Sequence, residues 1–187
     1  REVIYMKVRV KNLILDYSNE FIKLVNSIYS RKGVFPYNPL MIILGIDPWT
    51  ATTGFALLEK EGRVVRVIEY GVISTRAGLS LSERLLQIGN DLRELIDTYH
   101  PTICGVERLF FLRNVTNGID VAHARGVVLH TLASHGIPLV EFTPLQVKQG
   151  IAGNGFAKKP QVQKALMMVL WLSEIPKPDD AADALAI

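Results

Sequence analysis

The chain has 187 residues, 49% of them hydrophobic, a formal net charge of +3 and a single cysteine. That length supports one domain with a substantial core. No uninterrupted apolar run reaches the roughly 18 residues of a membrane span, and a lone Cys104 excludes an internal disulfide or a multi-cysteine zinc site. Cys104, together with a start, Arg1-Glu2-Val3-Ile4, that lacks a basic-then-apolar leader, points to a reducing cytoplasm.

Residues 1–40 carry seven Lys/Arg against three Asp/Glu, or +4, so the fourteen against fifteen in residues 41–187 leave −1. Val3 to Leu15 reads as strand and Asn19 to Tyr29 as an amphipathic helix. Gly33, Pro36 and Pro39 break any longer regularity. Forty residues rarely bury a core alone, so 1–40 is read as an N-terminal extension and 41–187 as the domain proper.

From Met41 the pattern sharpens. Ile42-Ile43-Leu44-Gly45-Ile46 is a buried strand ending in one carboxylate, Asp47, followed by a polar turn and a second apolar run, Gly54 to Leu58. Arg63 to Ser74 alternates and is rich in Val and Ile, a third strand after the Glu61-Gly62 turn. Short links make these three antiparallel. Leu79 to Tyr99 switches to helical spacing, with Leu81, Leu85, Ile88, Leu92, Leu95 and Ile96 on one face, Ser80 or Ser82 as cap and His100-Pro101 as stop.

Thr102 to Val106 repeats the first pattern, a short apolar strand ending in an acid, Glu107; a strand between helices reads as parallel. Phe110 and Phe111, flanked by Arg108 and Arg113, are either core or a stacking element. Thr116 to His135 is a helix with small residues Ala122, Ala124 and Gly126; its histidines share no face and are bystanders. Pro138 to Phe142 is a further strand, and Thr143-Pro144 opens a short helix.

Phe142 to Ser173 holds Lys148, Lys158, Lys159 and Lys164 and no acid. Within it, Gly153-Asn154-Gly155 lacks the ending of a nucleotide P-loop, and lysines beside a glycine turn suit a nucleic-acid backbone. The last helix opens Asp179-Asp180-Ala181-Ala182-Asp183, with Asp180 and Asp183 on one side. One acid there is explained by the helix dipole; three repel one another. The helical pattern still runs at Ile187, which predicts that this helix is cut short.

Asp47, Glu107, Asp180 and Asp183 are therefore the candidate catalytic acids. Brought together they cannot all stay ionised without a counter-ion. Oxygen ligands favour Mg²⁺, and two such ions activate water and stabilise the leaving oxygen of a phosphodiester.

The stretches ILGIDP, TGFA, VERLFFLRN, AHARG, QVKQGIAGNGFAKKPQVQ and DDAADALAI together resemble the RuvC family of Holliday junction resolvases, from Met41 to Ile187. The resemblance implies an α/β, ribonuclease H-like mixed sheet, three antiparallel strands then parallel strands, flanked by helices. It implies an endonuclease that nicks four-way DNA junctions symmetrically in recombination and repair. It also implies Asp47, Glu107, Asp180 and Asp183 as metal-binding acids for two Mg²⁺ or Mn²⁺ ions, and Phe110 as the aromatic that stacks at the crossover. Lys148 and Lys159, with Lys158 beside them, become DNA contacts. A homodimer formed through the helix from Thr116 and a branch-migration complex of the RuvA/RuvB type are the implied partners.

Trp49 departs from the family, whose members carry glycine after Asp-Pro. That departure keeps one alternative open, a catalytically impaired binder of branched DNA; a separate one is another ribonuclease H-like nuclease acting on RNA.

Overall fold

The computed structural model describes residues 13–14, 40–108 and 115–187. The strand expected over Val3–Leu15 is represented by Leu13–Ile14, and the helix expected from Asn19 lies outside the described residues, as does Phe110.

Six strands form one mixed sheet: β1 (Leu13–Ile14), β2 (Met41–Asp47), β3 (Thr52–Glu61), β4 (Val64–Ser74), β5 (Ile103–Glu107) and β6 (Leu139–Phe142). Their order is β1-β4-β3-β2-β5-β6. The pairs β1–β4, β2–β3 and β3–β4 are antiparallel, while β2–β5 and β5–β6 are parallel. This is the ribonuclease H-like arrangement expected, with β2 at the change from one sense to the other. β3 starts at Thr52, two residues before the expected run, because β-branched Thr52 and Thr53 extend the ladder. A bulge at Leu57/Leu58 shifts its register on β4.

Five helices are described: α1 (Leu81–Tyr99), α2 (Val115–Ser134), α3 (Pro144–Ala152), α4 (Lys159–Val169) and α5 (Asp179–Ala186). Ser80, not Ser82, caps α1, in a capping box with Glu83. Thr143 and Gln146 do the same for α3.

Side chains alternate across the sheet. Leu44, Ile46, Phe55, Leu57, Cys104 and Val106 point to one face, where Ile88, Leu92, Val128 and Leu132 of α1 and α2 close over them. Ala56, Val65, Val67 and Tyr70 point to the other, under Leu166 of α4 and Ala181, Ala184 and Leu185 of α5. Each fully buried leucine, isoleucine or phenylalanine stabilises by about 1.5–3 kcal/mol. No described helix is long and apolar enough to cross a membrane.

Candidate active site

The site is built by register. Gly45 pairs with Gly105 and Ile46 with Val106, so the next residues, Asp47 and Glu107, end neighbouring parallel strands side by side. Strand alternation puts Gly45 and Asp47 on one face of the sheet and Gly105 and Glu107 on the same face. Asp47 also lies opposite Gly54 of β3. The carboxyl ends of parallel strands beside a change in strand sense are where α/β sheets place their sites.

The third contributor arrives because two glycines, Gly54 and Gly45, let a helix lie directly on the sheet. A Cβ on Gly54 stands 2.0 Å from the Asp180 carbonyl oxygen, and one on Gly45 stands 2.2 Å from that of Ala184. At Gly105 the neighbours are the Ile187 side chain at 3.1 Å and its carbonyl oxygen at 3.3 Å. Helix α5 thus lies on β3 and β2 backbone against backbone, and Ile187, just past its end, covers Gly105 of β5. Its first turn, with Asp180, rests on the residue paired with Asp47. The short side chains of Ala181, Ala182 and Ala184, all buried, keep that approach close.

The electrostatics record the result. Asp47 is only 7% exposed. Burial raises its pKa from 3.8 to about 7, reinforced by the charges of Asp183, Glu107 and Asp180 and opposed by Lys159. Burial likewise raises Glu107, with Asp183 adding to it and Lys148 pulling the other way. Asp180 is raised by burial and by Asp183, again opposed by Lys159. Each of the four acids therefore lies in the field of others, although they come from β2, β5 and α5.

Lys159, the first residue of α4, sits among them. Its Nζ donates to Asp183 Oδ2 at 3.0 Å and lies 3.3 Å from Asp179 Oδ2. Burial lowers its pKa, but the hydrogen bond and charge of Asp183, followed by those of Asp179, outweigh burial and raise it. Gln163 Nε2 donates to Asp179 Oδ1 at 3.0 Å, so Asp179 braces α4 against α5.

Among the described residues no three His, Cys, Asp or Glu side chains are gathered closely enough to make a ready ligand set. The acids feel one another's charge without their oxygens meeting at one point, and Lys159 holds Asp183 to one side. The donor set still suits a hard divalent cation. It is all oxygen, it is anchored on a buried strand end, and its mutual repulsion is relieved only by protons or cations.

The sequence-predicted residues fall into three groups. Asp47, Glu107, Asp180, Asp183, Lys148 and Lys159 share this neighbourhood. Lys158 is exposed at the start of α4, where its backbone N–H donates to Gln161 Oε1 at 2.7 Å, and Phe110 lies outside the described residues. Trp49 is 44% exposed. It does not adopt the positive φ that a glycine favours, since His100 and Trp171 are the described non-glycine residues that do. Its turn is tied instead by Thr53, whose Oγ1 donates to the Trp49 carbonyl at 2.6 Å. The residues missed from sequence are Gly45, Gly54 and Gly105; the signal was a glycine inside each of three apolar strands.

The family model described as "Crossover junction endodeoxyribonuclease RuvC" matches residues 43–187. A protein of that name from Roseiflexus sp. (strain RS-1) is 51% identical over 144 residues, covering 77% of this chain and 86% of the relative. One from Petrotoga mobilis is 49% identical over 146 residues, covering 78% and 90%. Among solved structures, T. thermophilus RuvC in complex with a Holliday junction substrate matches with a TM-score of 0.74 and 33% identity, over 79% of this chain and 90% of that one. The yeast mitochondrial Holliday junction resolvase Ydc2 shares the fold, with a TM-score of 0.55 and 19% identity over 88% of this chain and 83% of that one.

Proposed function

Because the chain belongs to the RuvC family of crossover junction endodeoxyribonucleases, we propose that it resolves four-way DNA junctions by hydrolysing phosphodiesters at the Asp47–Glu107–Asp180–Asp183 site. The observation that carries this reading is the convergence on Asp47: one buried strand-end acid raised to about 7 by burial and by three acids from two other elements.

In this reading the four acids would hold two divalent cations, Mg²⁺ or Mn²⁺. Bound there, such ions supply Lewis-acid activation of water and stabilisation of the leaving oxygen. Asp47, the most buried acid, fixes the site to the rigid centre of the sheet. Asp180 and Asp183 would bring two further ligands on one helix whose backbone is seated on Gly45 and Gly54. Asp183, held here by Lys159, would be one of the ligands, and the Lys159 ammonium would face a phosphate oxygen. Lys148, already in the field of Glu107, supplies a second positive charge to the same strand. Water adds to phosphorus as one bridging P–O bond breaks, leaving a phosphate on one strand end and a hydroxyl on the other.

A four-way junction is two-fold symmetric, so a C₂ homodimer matches it. We assign the dimer contact to α2, whose exposed side carries Ile119 at 50% exposure. Residues 41–187 form the nuclease domain, residues 1–40 are an addition to it, and action on cellular DNA alongside a branch-migration complex places the protein in the cytoplasm.

The test is cleavage of a synthetic four-way junction. The wild type cuts with Mg²⁺ and not with EDTA, and Asp47→Asn lowers the rate by at least roughly a thousandfold while junction binding persists. Equal cutting by wild type and Asp47→Asn defeats the assignment of Asp47.

A further inference from the structure

Phe156 is the most exposed large hydrophobic side chain among the described residues, at 85%. The loop that carries it is firmly braced. Gln149 spans it, its Nε2 donating to the Gly153 carbonyl at 2.9 Å and its Oε1 accepting from the Gly155 N–H at 3.0 Å. Asn154 Oδ1 accepts from the Phe156 N–H at 3.0 Å, and the Asn154 carbonyl accepts from the Ala157 N–H at 3.0 Å. Both neighbours of Phe156 are buried: Ala157 is 3% exposed, and a Cβ on Gly155 would stand 2.7 Å from Leu145 Cγ.

A fixed backbone therefore projects a ring that contributes nothing to the core. Isolated exposed apolar residues are ordinary, but the surroundings of this one are not. Lys158 lies two residues on and is itself exposed. Lys159 follows, with its Nζ 3.0 Å from Asp183 Oδ2. Three residues of chain reach at most about 11 Å, so the ring is held close to the proposed cutting site. The whole segment from Phe142 to Ser173 contains no acid. An aromatic face beside cations, on an anchored loop, is the arrangement that grips single-stranded nucleic acid: bases stack on the ring and phosphates meet the charges.

We propose that Phe156 is a stacking platform for one unpaired nucleobase of the DNA strand being cut, with Lys158 and Lys159 on the adjoining phosphates. This rests on the nuclease reading above and adds a positioning contact on the α4 side of the site, separate from the segment around Phe110. The glycine-to-lysine loop then sets which nucleotide of an opened crossover stands at the carboxylates.

The test measures binding without cutting, in EDTA, of a four-way junction and of a linear duplex of the same sequence. Phe156→Ala weakens junction binding by about tenfold or more and leaves duplex binding unchanged. Phe156→Trp restores the affinity and Phe156→Leu does not, because the face of the ring and not its apolar bulk is used. An abasic site moved through the strand finds one position that costs the wild type the same factor and costs Phe156→Ala nothing. Junction binding by Phe156→Leu equal to the wild type, or no position at which the abasic scan separates the two proteins, overturns the proposal. Stacking by these criteria in a protein that never nicks with Mg²⁺ would sink the nuclease reading alone. Nicking with no effect of Phe156→Ala on affinity would sink the stacking role alone.

Discussion

The two faces of the sheet are packed by different rules. Toward α1 and α2 the contacts are large interdigitating side chains: Leu44, Ile46, Phe55 and Leu57 against Ile88, Leu92 and Leu132. Toward α5 the strands present Gly45 and Gly54, and the helix backbone rests on them. A side-chain interface relaxes by changing rotamers, so it tolerates swaps that conserve volume. A backbone-on-glycine interface has no such freedom. Both faces bury apolar side chains, but the glycine contacts fix where Asp180 and Asp183 stand relative to Asp47 and Glu107.

The largest expected effect comes from Gly54→Ala. The added methyl would stand 2.0 Å from the Asp180 carbonyl oxygen, with no flexible side-chain end to yield. Helix α5 must lift, at a cost of about 1–3 kcal/mol. The displacement carries Asp180 from the site, and junction cutting falls by roughly a hundredfold. Leu92→Met, at a fully buried position on the other face, costs under about 1.5 kcal/mol and leaves the cutting rate unchanged. Thermal melts and single-turnover cleavage of both variants decide it. Normal cutting by Gly54→Ala would erase the distinction between the faces.

How much of this was legible before folding follows the same division. The apolar runs ending in Asp47 and Glu107, and the 3.6-residue spacing through Leu85, Ile88, Leu92 and Ile96, are local patterns, and the strands and α1 formed where they predicted. The pairing of Asp180 and Asp183 on one helix side was equally local. What brings that side to Asp47 was not local. It needs the pairing of Gly45 with Gly105 and of Asp47 with Gly54, which joins residues about sixty positions apart in the first case. Read singly, each of those glycines only weakens a strand. The hold of Lys159 on Asp179 and Asp183 was hidden for the same reason, since Lys159 and Asp183 stand 24 positions apart on different helices.

A second way to sharpen the comparison is pH. The folded state keeps a proton on Asp47 up to about 7, while the unfolded chain releases it near 3.8. Between those values the folded state binds more protons, so stability falls as pH rises. This group's full contribution is present below about pH 4 and lost above about pH 7. The size is on the order of 2–4 kcal/mol. In EDTA, Asp47→Asn is therefore more stable than the wild type at pH 8 and nearly equal to it at pH 4. Added Mg²⁺ narrows the gap at pH 8, because a cation held by the wild type offsets the repulsion. Melts at both pH values with and without Mg²⁺ check the sign, and an Asp47→Asn variant that is less stable at pH 8 in EDTA would reverse it.

The smallest expected effects separate the faces most cleanly, because two helices share one device. Ser80 and Glu83 form a capping box at α1, on the apolar face; the Ser80 N–H donates to Glu83 Oε2 at 2.8 Å. Thr143 and Gln146 form the same box at α3, on the glycine face; the Thr143 N–H donates to Gln146 Oε1 at 2.8 Å and Thr143 Oγ1 accepts from the Gln146 N–H at 3.2 Å. Ser80→Ala and Thr143→Ala each cost about 1 kcal/mol. Their effects on the reaction differ, because α3 carries Lys148 into the field of Glu107 and Gln149 into the loop beneath Phe156. Fraying its first turn loosens both, so Thr143→Ala raises KM for the junction about twofold to fivefold, in proportion to the lost cap. Ser80→Ala leaves both kcat and KM as they were, since α1 reaches the site only through the sheet. Equal melting shifts with unequal KM are the expected pair of results; equal KM in the two variants would mean that α3 orients nothing at the site.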